Sequence, residues 1–174
     1  MIQKILSLLI ILSVQLFASQ YNSIILELEA KLFPKMILLS EDLDKNATAL
    51  NIYIIAKEID THSAEQFKKL IKSNYPDKIL GKKVEVSVKK FKHFKDLPNA
   101  LIVLRHNEEE LSKIALWANK NKIISLAYDP SYMQYGILAS IYIGKTTKPY
   151  LNKTAIQKYG FVFNPYLLEL SKFK

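Results

Sequence analysis

The sequence predicts an α/β fold. It is one three-layer domain with a mixed β-sheet, helices on both sheet faces, and a C-terminal hairpin followed by short helices. Three observations predict this. Short apolar runs alternate with segments of helical spacing, which is the pattern of a layered α/β domain. The chain has 174 residues and 49% of them are hydrophobic, enough for the core of a single domain. No internal repeat and no linker rich in Pro, Gly or Ser divides it.

The elements follow in chain order. Lys4 precedes the apolar run ILSLLIILSVQLF at 5–17, and small residues follow at Ala18 and Ser19. That pattern predicts a cleaved export signal over 1–19, since a membrane helix needs about 20 apolar residues. The single domain is expected over 20–174. No later apolar run is long enough to span a bilayer, so the product is expected in the periplasm as a soluble protein. Residues 23–39 place Ile24, Ile25, Leu28, Leu32, Met36 and Leu39 at helical spacing, with Asn22 or Ser23 as cap. Pro34 is expected to kink or divide that helix. ALNIYIIA at 49–56 reads as the first strand. Asp60 or Thr61 is expected to cap the next helix, striped by Ala64, Phe67, Leu70 and Ile71 and stopped by Pro76 and Gly81.

VEVSVK alternates as a half-exposed strand. ALIVL at 100–104 is uninterrupted and fits a buried central strand. Asn107 with Glu110 has capping-box spacing ahead of a helix lined by Leu111, Ile114, Ala115 and Ala118. IISLA at 123–127 is another buried strand. ILASIYI, GKTT and KPYL read as strand, turn and return strand, with Pro149 favouring an edge. Asn152 or Thr154 then opens a short helix ended by Gly160. Asn164 and Pro165 open a last one, docked by Leu167, Leu168 and Leu170.

Composition excludes several functions. The absence of cysteine removes thiol catalysis, disulfide exchange and thiolate zinc sites. The formal charge of +9 rests almost wholly on lysine, with Arg105 the single arginine. Base readers rely on bidentate arginine, so nucleic acid is not the expected partner. The basic run at 82–95 is read as a solvated strand and loop, with a docking surface as the alternative. Gly144-Lys145-Thr146 lacks the upstream glycine of a phosphate loop, because position 139 is Ala; it reads as a hairpin turn. His62, His93 and His106 show no metal-ligand spacing, and no metal or cofactor is implied. Ser131 has no nucleophile elbow around it, and Glu108, Glu109 and Glu110 fit the first turn of a helix. No enzyme is predicted.

A binding crevice is the remaining candidate. Arg105 and His106 follow one buried strand and Asp129 follows another. Strand ends in open α/β sheets frame ligand crevices. Tyr132 and Tyr135 would add hydroxyls and aromatic area. The competing reading makes Asp129 a turn cap, Arg105 a solvated cation and the tyrosines a cover for the core. Such a crevice would belong to a small-ligand component of an uptake or sensing system.

The region 123–171 resembles the C-terminal part of the YfiR/HmsC-like periplasmic proteins. The features that carry the resemblance are Asp129, Gly136, the hairpin at 137–151, Asn152, Ala155, Gly160, Leu167, Leu168 and Leu170, with a weaker likeness at 31–39. Two departures stand out: QYGILASIY where the family has a Gly-Gly-Met type sequence, and Tyr150 where it has a carboxylate. The resemblance implies a non-catalytic periplasmic regulator. Such a protein binds the sensor domain of an inner-membrane signalling protein, such as a diguanylate cyclase, and restrains it; release would raise cyclic-di-GMP. Tyr132, Tyr135, Tyr142 and Tyr150 are then candidate contacts, and a homodimer is the alternative assembly.

Overall fold

Asn22 starts the first helix, its side chain accepting from the Ile24 and Ile25 amides. A computed structural model describes residues 21–92 and 94–174; the expected export signal and His93 lie outside the described residues. Helix α1 (Ser23–Leu38) runs through Pro34 without dividing. Proline removes one helical hydrogen bond and crowds the preceding turn. Here Phe33, Pro34, Met36 and Ile37 are all buried, so packing holds the helix together where local preference would break it.

Strand β1 (Ala49–Ile55) leads through a short 3₁₀ turn into α2 (Thr61–Asn74). Then come β2 (Lys78–Ile79), β3 (Lys82–Lys89), β4 (Ala100–Val103), α3 (Glu108–Lys120) and β5 (Ile124–Ala127). A 3₁₀ segment, Pro130–Tyr135, precedes the hairpin β6 (Ala139–Ile143) and β7 (Thr147–Leu151). Helices α4 (Lys153–Tyr159) and α5 (Pro165–Leu170) and strand β8 (Lys172–Phe173) end the chain. The expected capping box forms between Asn107 and Glu110. Gly160 takes the left-handed conformation, φ +65°, that stops α4.

The sheet order is β2-β3-β1-β4-β5-β6-β7-β8. Strands β3, β1, β4, β5 and β6 are parallel neighbours, and the added pairs at β2–β3 and β6–β7 are antiparallel. The sheet is therefore mixed, as expected. From β1 the chain crosses to β3 on one side, and the rest of the parallel sheet builds out from β4 on the other. For right-handed crossovers this reversal puts α2 and α3 on opposite faces. Two separate cores show that it does. On one face α1 and α2 pack Phe33, Ile37, Phe67 and Ile71 against Ile52, Ile54 and Ile102. On the other, α3 packs Leu111, Ile114 and Ala118 against Ile55, Leu101 and Val103.

Among its described residues the β3-to-β4 connection has no helix. It covers the second face with Phe91 and Phe94, whose rings sit 5.8 and 5.7 Å from Trp117, while Phe94 is 5.0 Å from Tyr53. In the tail, Leu167 docks and Leu168 is half-buried, but Leu170 is 43% exposed; it does not serve the docking expected of it. Lys82 is more than a solvated cation, since its ammonium donates to the carbonyls of Asp44, Lys45 and Ala47.

Asn152 ties the tail to the sheet. Its amide donates to Met133 O at 2.9 Å and Ile137 O at 3.1 Å, and its Oδ1 accepts from the Ala155 amide at 3.0 Å. Asn152→Ala removes a helix cap and strands two buried carbonyls. The expected loss is about 2–4 kcal/mol, read as a lower urea midpoint with unchanged slope.

Candidate functional site

Strands β1, β4 and β5 end level, with Ile55 opposite Val103 and Val103 opposite Ala127. The residues that leave them therefore gather at one edge: 56–60, 104–106 and 128–129. The strand order reverses between β1 and β4, and open α/β sheets bind ligands in the crevice beyond such a point.

Asp60 and Arg105 meet across that point. Asp60 is 4% exposed, and its Oδ1 lies 2.9 Å from Arg105 Nη2. The sequence suggests a helix cap at Asp60, yet its side chain makes no capping bond; it turns inward to the guanidinium. Its Oδ2 is buried with no hydrogen-bond partner among the described residues. The Arg105 side chain is 41% exposed, and its backbone amide donates to the Tyr21 hydroxyl at 2.9 Å. Tyr21 packs edge-on against Tyr128, centroids 4.7 Å apart, and Tyr128 accepts from the Asn22 amide at 2.8 Å. Tyr132 is half-buried. Burial holds its hydroxyl above the ordinary tyrosine range; Asp129 and Asp60 add to the rise and Arg105 opposes it.

Asp129 lies at the same edge and accepts from the Ser131 amide at 2.8 Å, which is the turn-capping role. Arg105 thus pairs with Asp60 rather than Asp129. Beneath Asp129 and Tyr128, Glu29 of α1 is 1% exposed, and its Oε2 has no partner among the described residues. Tyr135 lies further along, donating to Glu108 Oε1 at 2.6 Å. Tyr142 and Tyr150 are not brought to the crevice. They pair across the hairpin, centroids 5.9 Å apart, with Lys172 Nζ 3.7 Å above the Tyr142 ring.

On the α3 side of the same edge lies a cleft of about 340 Å³, lined by Lys57, Glu58, Lys90, Phe91, His106 and Glu110 and not by Asp60, Arg105, Asp129 or Tyr132. Lys57 pairs with Glu110 at 2.6 Å and Lys90 with Glu58 at 2.8 Å. His106 Nδ1 lies 3.1 Å from Leu104 O. Burial holds this imidazole below the usual range, so it is neutral at physiological pH. A larger cleft of about 480 Å³ lies between α3, α4 and the second 3₁₀ segment. Leu116, Met133, Tyr135 and Tyr159 line it together with neutral polar side chains, Lys158 and Lys174, and it lacks the paired opposite charges of the strand-end crevice. Among the described residues, no group of three or more His, Asp or Glu is placed to hold a metal ion. No helix there is long and apolar enough to cross a membrane.

Sequence reasoning placed Arg105, His106, Asp129 and Tyr132 at one edge. It missed Asp60 and Tyr21 as members of the group. The signal for Asp60 was present: an acid just past the end of the first parallel strand.

The architecture is an open parallel α/β core whose polar edge suits binding. No protein-family model matches the chain, and no curated protein matches it. Among solved structures it is similar to a conserved domain protein from Vibrio cholerae O1 biovar El Tor, at 15% identity and a TM-score of 0.55, over 85% of this chain and 59% of that one. It is also similar to the ABC domain in complex with L-Trp from Streptococcus pneumonia, at 14% identity and a TM-score of 0.50, over 80% of this chain and 60% of that one. At these identities the likeness shows the fold. The chain spans about three fifths of the length of each.

Proposed function

We propose that the protein binds a small organic ligand at the carboxyl edge of β1, β4 and β5, as a component of an uptake or sensing system outside the inner membrane. One observation carries this reading. The reversal of strand order coincides with a buried acid, Asp60, paired to a half-exposed Arg105 and keeping one oxygen free. Convergent polar groups beside aromatic side chains are the usual make-up of a ligand site. The fold shared with a domain that holds L-Trp supports the same reading and suggests the first probe.

A second reading concerns the tail. Val162, Tyr166, Leu170 and Phe173 are large apolar residues left exposed on the C-terminal elements. They favour a protein contact in the region that resembles the YfiR-like regulators, and the partner would be the periplasmic sensor domain of a membrane signalling protein. Ligand capture and such a contact are compatible in one molecule.

Titration of the chain from residue 20 onward, followed by calorimetry and by fluorescence of the single Trp117, tests the main reading. Saturable binding of a small molecule is expected from a panel that starts with amino acids, and Arg105→Ala is expected to abolish it. A folded protein that retains no small molecule, either from the panel or from periplasmic extract in native mass spectrometry, would count decisively against it.

A further inference from the structure

The two halves of the Asp60–Arg105 pair are left incomplete in complementary ways. Asp60 is almost wholly buried, and a buried carboxylate oxygen without a donor is costly to leave so. A guanidinium carries five N–H donors; among the described residues the Arg105 side chain uses one, toward Asp60 Oδ1 at 2.9 Å. An acceptor that lacks a donor thus stands beside donors that lack acceptors. A simple carboxylate would satisfy Arg105 and leave Asp60 Oδ2 orphaned. A simple amine would do the reverse.

We propose that this pair recognises a compact amine–carboxylate, an α-amino acid with an aromatic or apolar side chain. The ligand carboxylate takes the free N–H groups of Arg105, and its ammonium donates to Asp60 Oδ2. Arg105 suits the first role because its planar fork matches a carboxylate and because Asp60 fixes one edge of it. Asp60 suits the second because its position is already set by the ion pair. Asp60 Oδ2 is buried beside the half-exposed Arg105 side chain, and a shift of that side chain admits the ammonium. The side-chain preference follows from the surroundings. The half-buried Tyr128 and Tyr132 offer ring surface at this edge, and Ile59, next to Asp60, is 79% exposed as an apolar rim. The inference deepens the ligand-binding reading and rests on it.

Three probes separate the two contacts: L-tryptophan, tryptamine, which lacks the carboxylate, and 3-indolepropionate, which lacks the amine. Calorimetry on the chain from residue 20 onward is expected to show binding of L-tryptophan. Each analogue is expected to bind roughly 30-fold or more weakly, the scale for losing one partner of a buried charged hydrogen bond. Asp60→Asn is expected to erase the preference for L-tryptophan over 3-indolepropionate. Arg105→Lys is expected to erase the preference over tryptamine. Circular dichroism confirms folding; should Asp60→Asn fail to fold, the analogue series on the unaltered chain decides. Equal binding of L-tryptophan and 3-indolepropionate would overturn the proposal. So would L-tryptophan binding that is unchanged in both folded variants, or uptake of some other small molecule with no amino acid bound. In those cases ligand binding stands and this recognition pair falls. A folded chain that binds nothing fails the broader reading instead.

Discussion

Phe67→Ala is expected to lower the unfolding free energy by about 3–5 kcal/mol, the range for deleting a buried phenylalanine. Phe67 is fully buried on the inner face of α2, and its ring lies 6.1 Å from that of Phe33 on α1, also fully buried. The two rings join both helices to the β1 and β4 face carrying Ile52, Ile54 and Ile102. Truncation removes apolar contact from both helices at once and leaves a cavity in the core they share. A domain of this size has about 5–15 kcal/mol of stability in total, so a large part of it goes. Phe67→Leu keeps most of the volume and is expected to cost less, about 1–2 kcal/mol. Urea denaturation reads both as a lower midpoint with unchanged slope. Equal midpoints for Phe67→Ala and the unaltered chain would show that the α1–α2 layer is not part of the cooperative core.

What the sequence made legible follows from how local each signal is. Strands β4 and β5 flank α3 as short, mostly apolar runs, and every residue in them is buried. Asn107 and Glu110 satisfy each other within one turn, so four letters suffice to read the cap. Strands β2 and β8 have two residues each and exist only because β3 and β7 offer them an edge; nothing in their own letters demands a strand. For a related reason Pro34 does not divide its helix, since the burial that holds it comes from distant elements. The site divides in the same way. Arg105 and Asp129 were readable as residues just past strand ends. The partnership of Asp60 with Arg105 spans 45 positions. It depends on β1 lying next to β4, which is a fact of strand order and not of any window of sequence. Asp60 at a helix start looks like a cap until that order is known.

Glu29→Gln is expected to make the protein more stable at neutral and alkaline pH, and the reason is also why the chain should weaken as pH rises. Glu29 is 1% exposed, and burial raises its carboxyl from 4.5 to about 10, with the nearby Asp129 charge adding to the rise. Between those two values the folded chain keeps a proton that the unfolded chain has released. The native state then binds more protons than the unfolded state, so stability falls with increasing pH, by about 1.4 kcal/mol per pH unit from this group. The contribution is complete below about pH 4.5 and is lost as pH climbs toward 10. Glutamine keeps the shape, stays neutral in both states and removes the slope. At pH 8 the variant is expected to exceed the unaltered protein by about 5 kcal/mol; near pH 5 the two should nearly coincide. His106 titrates in the opposite sense, since its imidazole is held below the ordinary range and stability gains as pH rises toward 6.5. That term is common to both proteins and cancels in their difference. Urea midpoints at pH 5, 7 and 9 measure the effect, and parallel pH profiles would rule out a buried neutral Glu29. The consequence for the crevice is direct. A neutral Glu29 adds no charge beneath the edge where Asp60 holds Arg105 at 2.9 Å.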